Sequence, residues 1–285
     1  MAKVLIPLPA RDFDPTEAAV SWKVLSSLGH SVVFATPDGT RSFADDLMIT
    51  GEGLDPWGFV PGLKKVKVLG AILRANADGR AAYAELERDA AFLAPARHDS
   101  IRAQDFEGLL LPGGHRARGM RPYLESDPLK RLIVRAFERD ACVAAVCHGV
   151  LLVARSTSKA TGRSVLHGRR TTSLTWSQER LAANLARVAR FWDGDYYRTY
   201  LEKPGEPCGY MGVEAEVTRA LAKPEDYVDV PKDADDHALK TDGRHRDTLT
   251  DARPAFVVRD GRYLSARWPG DVHTFAKTFA AMLSE

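Results

Sequence analysis

The chain has 285 residues, long for one hydrophobic core and short for two at roughly 150 residues per domain. An apolar fraction of 45% and a charged fraction of 27% exclude disordered, collagen-like and coiled-coil chains. Forty Lys and Arg against 38 Asp and Glu leave a net charge of +2, too small an excess to suggest nucleic acid as a partner.

No apolar run approaches the ~20 residues that span a bilayer, so no membrane role is expected. The start of the chain meets Asp12 and Asp14 too early for a signal peptide. Three cysteines, an odd count, make no disulfide framework, and the chain reads as cytoplasmic with reduced thiols.

Val4-Leu5-Ile6 predicts a short buried strand. Asp14, Pro15 and Glu17 then have the spacing of a helix start: a cap, a proline at the first helical position and an acid three residues after the cap. That helix runs to about Leu28 and stops at Gly29, and Ser31 to Ala35 forms the next strand. The β-α-β order implies a parallel sheet. From Pro37 to about Arg97 the rhythm breaks into turns and Ala- and Leu-rich helical spacing, read as an insertion of loops and helices covering one side of the sheet.

The alternation resumes with a strand over 107–111, ending in Pro112-Gly113-Gly114, and a helix from Asp127-Pro128 to about Glu138. A strand over 142–146 runs directly into Cys147-His148-Gly149 and a helix ending near Arg155. Arg170 to Leu174 is expected as a strand and Ser177 to Arg190 as a helix. Asp193 to Pro207 reads as a loop, Val213 to Ala222 as a helix and Lys232 to Arg253 as a solvated charged loop. Asp260-Gly261 signals a hairpin, and Asp271 to Leu283 is the closing helix.

The chemistry centres on Cys147. A strand that ends, one residue on the turn and a helix that starts at once make a nucleophile elbow, which lifts the side chain above the carboxyl edge of the sheet. A helix N-terminus at that place favours thiolate over thiol. Cys142, inside an apolar run, fits a buried structural role instead. Gly113 and Gly114 end the neighbouring strand at the same edge, where glycines let backbone N–H groups approach a ligand oxygen. Glu17 reaches that edge too, and two readings stand open: a capping box with Asp14, or a carboxyl beside the Cys147 thiol. Arg116, Arg118 and Arg121 read as a solvated loop. His98, His115, His167 and His273 lack close metal-ligand spacing, and no metal site is expected.

The set Glu17, Pro112-Gly113-Gly114-His115 and Ala145-Val146-Cys147-His148-Gly149 resembles the ThiJ/PfpI superfamily, with its class I glutamine amidotransferase-like fold. The length and the insertion after the second strand look most like its heat-shock glyoxalase/chaperone branch. The resemblance implies a flavodoxin-like three-layer α/β/α sandwich with a mostly parallel sheet and a helical and loop cap insertion. One domain would then span residues 1–285, with the cap over about 37–97 and a peripheral excursion over about 193–253.

The resemblance also implies Cys147 as nucleophile, Glu17 as its carboxyl partner and His148 as its neighbour. Gly113, Gly114, His115 and Gly149 would surround the substrate oxygen, with the N–H groups of Gly114 and His148 pointing at it. In this branch an acid some 30 residues after the Cys-His pair orients the histidine; Glu179 is the candidate, although Trp176 stands nearer the expected place. Asp195-Tyr196-Tyr197-Arg198 and Trp268-Pro269-Gly270-Asp271 resemble recurring stretches of bacterial members and carry no assigned chemistry.

The expected activity is cofactor-free conversion of an α-oxoaldehyde such as methylglyoxal to a hydroxy acid, by a homodimer acting on a small carbonyl substrate. The alternatives are a cysteine amidase or peptidase, and a non-enzymatic stress chaperone or redox sensor.

Overall fold

A computed structural model describes residues 1–194 and 196–285; Asp195 lies outside the described residues. The strands are β1 (Lys3–Pro7), β2 (Arg11–Phe13), β3 (Ser31–Thr36), β4 (Phe43–Ala44), β5 (Ala96–Arg97), β6 (Gly108–Leu111), β7 (Cys142–Val146), β8 (Val257–Asp260) and β9 (Tyr263–Ala266). The helices are α1 (Pro15–Ser27), α2 (Asp46–Thr50), α3 (Gly70–Leu73), α4 (Ala77–Leu86), α5 (Ala90–Leu93) and α6 (Ala117–Leu124), followed by α7 (Asp127–Glu138), α8 (His148–Ala154), α9 (Trp176–Ala189), α10 (Val213–Ala220), α11 (His237–Thr241) and α12 (Val272–Met282).

Seven strands form one sheet in the order β5-β3-β1-β6-β7-β9-β8, parallel throughout except for the last pair. The five inner strands have the flavodoxin-like order, and helices cover both faces. β6 and β7 are buried at every residue, as strands covered on two sides must be, and their sequences are correspondingly apolar throughout. Helix α1 packs against α4 and α12, while α8 packs against α6, α7 and α10. No helix among the described residues is long and apolar enough to cross a membrane.

Four expectations need correction. The insertion does not end as cover, because its last residues form β5 and extend the sheet beyond β3. The segment from Arg170 to Leu174 is not a strand. The place beside β9 is taken by β8, so the Thr172 N–H donates to Ser265 Oγ at 2.9 Å and only Thr171 makes a bridge, to Tyr227. Arg116, Arg118 and Arg121 border or belong to helix α6, which no capping residue announces. Its Gly119 packs so closely on β2 that a Cβ there would collide with the Arg11 carbonyl, a tertiary contact that outweighs weak helix propensity. Finally, the loop over 232–253 is not solvated throughout. Asp247 is buried and caps α12, accepting from the N–H groups of His273 (3.2 Å) and Thr274 (2.6 Å).

The turn after β9 is fixed by a buried ion pair. Arg267 and Asp271 are 1% and 0% exposed, and Asp271 accepts from Arg267 Nη2 (2.7 Å), Nε (3.1 Å) and backbone N–H (3.0 Å). It also accepts from the Phe256 N–H at 3.0 Å, which ties β8 to the same turn. Removing one partner of such a pair leaves an uncompensated buried charge. Asp271→Ala is therefore expected to cost about 3–5 kcal/mol, read as a lower urea midpoint with an unchanged slope. A loss below about 1 kcal/mol would show that the pair does not hold this turn.

Candidate active site

Cys147 stands between β7 and α8 with φ 57° and ψ −125°. A left-handed non-glycine residue costs on the order of 1–3 kcal/mol and persists only where its surroundings over-determine it. Here they do. The Cys147 N–H donates to the Ala266 carbonyl at 3.2 Å, which fixes the end of β7 to β9. On the other side Gly149 lies so close to the end of β6 that a Cβ would collide with the Leu111 carbonyl oxygen. Cys147 is 6% exposed, and its sulfur lies 3.5 Å from His148 Nδ1.

Glu17 is fully buried in the first turn of α1. It does not close a capping box. The cap is Asp14 alone, whose Oδ1 accepts from the Thr16 and Glu17 N–H groups at 2.8 and 3.1 Å. Glu17 Oε2 instead accepts from the Gly113 N–H at 2.6 Å, while the Asp14 N–H donates to the Gly113 carbonyl at 2.9 Å. Gly113 fits between α1 and α8 because it has no side chain: a Cβ would come within 2.7 Å of the His148 nitrogen and 3.2 Å of Glu17 Oε2. Glu17 Oε1 makes no hydrogen bond of normal geometry, and the carboxyl faces the Cys147 thiol.

Burial, and then the Asp14 charge, push the Glu17 carboxyl well above its ordinary range. Burial, and then the charges of Glu17 and Asp14, push the Cys147 thiol up, against the pull of the His148 N–H. Two acids in contact under these conditions cannot both ionise near neutral pH, so the pair holds at most one negative charge. Asp14 is itself raised to about 6 by burial, offset in part by the Arg246 guanidinium.

His148 and His115 are neutral at ordinary pH. His148 is lowered to about 3, first by burial and then by the charges of His115, Arg155 and Arg198, and its Nε2 is buried without a partner. Glu179 does not reach it. That carboxylate accepts from the Val213 N–H at 2.9 Å through Oε2 and pairs with Arg198 Nε at 3.2 Å through Oε1. His115 is lowered to about 3 by burial and then by Arg116, and its ring belongs to a different network. Its Nε2 lies 3.0 Å from the Tyr196 hydroxyl, which donates to Asp45 at 2.9 Å, and its face stacks on Tyr197 at 4.5 Å and 14°. His98, His167 and His273 lie apart from one another. Among the described residues no group of three or more His, Cys, Asp or Glu side chains is arranged to hold a metal ion.

The structure thus brings Glu17, Gly113, Cys147, His148 and Gly149 together and leaves Glu179 beside α10. Sequence reasoning missed Asp14 as a buried charge beside Glu17 and Arg246 as the guanidinium acting on both. Arg246 lies in a run of charges with no local pattern to mark it. Its Nη1 is buried without an acceptor, and its guanidinium sits 5.2 Å from the centre of the Trp268 ring.

A sequence model of the family described as ThiJ/PfpI family-like matches residues 8–228. Similar folds occur in solved structures of low sequence identity. The Rapid Encystment Protein 24 kDa of Francisella tularensis is 12% identical with a TM-score of 0.59, covering 99% of both chains. Glyoxalase III from Candida albicans is 16% identical with a TM-score of 0.57, covering 98% of this chain and 96% of its own. DJ-1beta of Drosophila melanogaster is 15% identical with a TM-score of 0.50, covering 99% and 91%. No curated protein sequence matches the chain.

Glu179 offers a test of the site's electrostatics. Burial raises its carboxyl to about 7, against the pull of the Val213 N–H and then of Arg198. Between its ordinary range near 4.5 and about 7 the folded chain keeps a proton that the unfolded chain has lost. Stability from this group is therefore full below about 4.5 and falls as pH rises through 7. Glu179→Gln keeps an acceptor for Val213 and removes the titration. Urea midpoints at pH 5, 6, 7 and 8 are expected to fall less steeply with pH in Glu179→Gln than in wild type, and parallel curves would contradict the assignment.

Proposed function

The chain belongs to the ThiJ/PfpI family, and from that premise we propose that it is a cofactor-independent enzyme converting α-oxoaldehydes such as methylglyoxal to hydroxy acids through Cys147. The observation that carries the reading is the pairing of the elbow cysteine with a buried carboxyl held by one oxygen. Glu17 Oε2 is occupied by Gly113, which leaves Oε1 for a proton that travels.

In this mechanism the Cys147 sulfur adds to the aldehyde carbon as its proton passes to the new oxyanion, giving a hemithioacetal. The N–H groups of Gly114 and His148 hold that oxygen. Glu17 removes the proton from the former aldehyde carbon, giving an enediol, and returns it to the neighbouring carbon. The product is a thioester of Cys147. Water hydrolyses it to the hydroxy acid and restores the thiol. No electron acceptor is needed, because one carbon is oxidised as its neighbour is reduced.

His148 is the weaker candidate for the travelling proton, since a group lowered to about 3 binds one poorly near neutrality. The same fact weighs against an amidase or peptidase, which needs a base oriented by an acid; His148 Nε2 has no such partner among the described residues. The fold likeness to glyoxalase III from Candida albicans agrees with the reading at the level of architecture.

Purified protein is expected to turn methylglyoxal into lactate, followed by proton NMR without added thiol. Cys147→Ala should reduce turnover to background. Glu17→Gln should lower kcat by about 10²-fold or more while Cys147 is still alkylated by iodoacetamide. Unchanged turnover in Cys147→Ala would falsify the proposal.

A further inference from the structure

From Pro56 to Ala77 the chain has no acidic residue and four basic ones, Lys64, Lys65, Lys67 and Arg74. The first part of this stretch is a closed loop of the insertion. Asp55, fully buried, makes its neck: the carboxylate accepts from the N–H groups of Val68 (3.1 Å), Leu69 (2.7 Å) and Gly70 (3.2 Å). Gly70 lies so close to Gly51 that a Cβ there would collide with the Gly51 carbonyl oxygen. Trp57 Nε1 closes the loop further, donating to the Val66 carbonyl at 2.7 Å. Compact loops whose ends meet in this way frequently carry function.

The tip of the loop is bare. Residues 61–68 are exposed one after another, among them Leu63, Val66 and Val68. Consecutive turns hold the backbone there: the Leu63 and Lys64 N–H groups donate to the Val60 carbonyl, and the Val66 N–H donates to that of Leu63. The tip adjoins the end of α9. Phe59 meets Phe191 at 6.0 Å and Trp192 at 5.2 Å, edge to face, and Arg190 Nη1 donates to the Gly53 carbonyl at 2.5 Å. Phe59, Val188 and Phe191 are nevertheless 57%, 75% and 62% exposed. Lys64, Lys65, Arg180 and Arg187 are exposed on these two segments and pair with no carboxylate among the described residues. Glu179, the acid of α9, is buried.

We infer that the loop tip and the end of α9 form a docking surface for an anionic lipid bilayer. Apolar and aromatic side chains beside unpaired lysines and arginines suit the bilayer interface. There the apolar groups enter the headgroup boundary and the cations meet acidic headgroups. A second copy of the chain is a poor occupant, because a two-fold contact would set like charges face to face. A partner that adds a strand finds no free edge, since the tip is built of turns. Docking of this kind needs no spanning segment, and it is independent of the chemistry at Cys147.

The test is flotation of the full chain with lipid vesicles at about 0.1 M and about 1 M salt, where charges act over roughly 10 Å and 3 Å. Wild type is expected to rise with vesicles of equimolar phosphatidylcholine and phosphatidylserine, to stay behind with phosphatidylcholine alone, and to be largely released at the higher salt. Lys64→Gln/Lys65→Gln/Arg187→Gln should lower the partition coefficient by about tenfold or more. Lys159→Gln/Arg163→Gln/Lys232→Gln removes three exposed cations of other segments and should leave it nearly unchanged. Leu63→Ser/Val66→Ser keeps every charge and should lower it by roughly fivefold or more. All these side chains are exposed, so urea midpoints should stay at the wild-type value.

Failure of wild type to float with the acidic vesicles at the lower salt overturns the docking surface. So does equal flotation of wild type and the triple variant of the tip and α9, which would place the contact elsewhere. An unchanged Leu63→Ser/Val66→Ser partition would reduce the contact to ion adsorption and overturn it as well. Retention on immobilised poly-glutamate without vesicle binding would assign the surface to an acidic protein instead of lipid. Should a variant not fold, wild type decides alone: Trp57 and Trp192 stand beside the tip, and their fluorescence should be quenched by brominated acyl chains. Absence of quenching in floated protein overturns the proposal.

Discussion

Two hydrogen bonds between the start of α1 and the turn after β6 organise the site. The Asp14 N–H donates to the Gly113 carbonyl, and the Gly113 N–H donates to Glu17. The first satisfies a backbone donor at a helix end that would otherwise lack a partner. The second places a carboxyl where the next strand, β7, delivers Cys147. Neither bond could form with a side chain at position 113, which would meet the His148 nitrogen. The glycine therefore serves packing first. Its effect on chemistry follows, because the close approach it permits holds the Glu17 carboxyl fully buried at the turn.

That burial sets the electrostatics. Asp14, Glu17 and Cys147 are all pushed toward their protonated forms by burial, and the nearby His115 and His148 are pushed toward theirs without a proton. The Cys147–Glu17 pair thus holds at most one negative charge, with Arg246 as the cation that tempers the acids around it. A centre with few charges tolerates the loss of solvent more cheaply than a fully ionised one would. It also makes each proton there count, since adding a charge in low dielectric alters the neighbours strongly.

Much of this was legible in the sequence for a local reason. β6 and β7 read as strands because both their faces are covered, and Cys147 read as an elbow because the apolar run ends one residue before a helix. The Asp14 cap and Pro15 likewise announced α1. What stayed hidden depends on contacts between distant parts of the chain. The fate of Glu17 turned on Gly113, 96 residues away. Glu179 stood a few residues past the place where the resemblance expects an acid, and its partners are Val213 and Arg198, which no local pattern links to it. Helix α6 carries Gly119 and Pro122, poor helix formers that a tertiary contact overrides. Arg246 and Asp247 look like any surface charges until α12 and Trp268 are seen around them.

The segments added to the sheet meet at His115. Asp45 caps α2 in the insertion, accepting from Leu47 at 3.0 Å, and it also accepts from Tyr196 of the excursion. His115 touches both through the Tyr196 hydroxyl and continues directly from the Gly113-Gly114 turn. The ring is thus a joint between the turn that holds Glu17 and the two added segments. His115 is neutral, lowered to about 3 first by burial, whereas burial raises the Asp45 carboxyl of the same joint to about 6. Its stack on Tyr197 is a contact between flat faces, worth about 0.5–1.5 kcal/mol in comparable aromatic pairs, far less than the hydrogen-bonded network beside it. The joint is therefore held through the Tyr196 hydroxyl, between His115 and Asp45, and the flat contact with Tyr197 adds little to it.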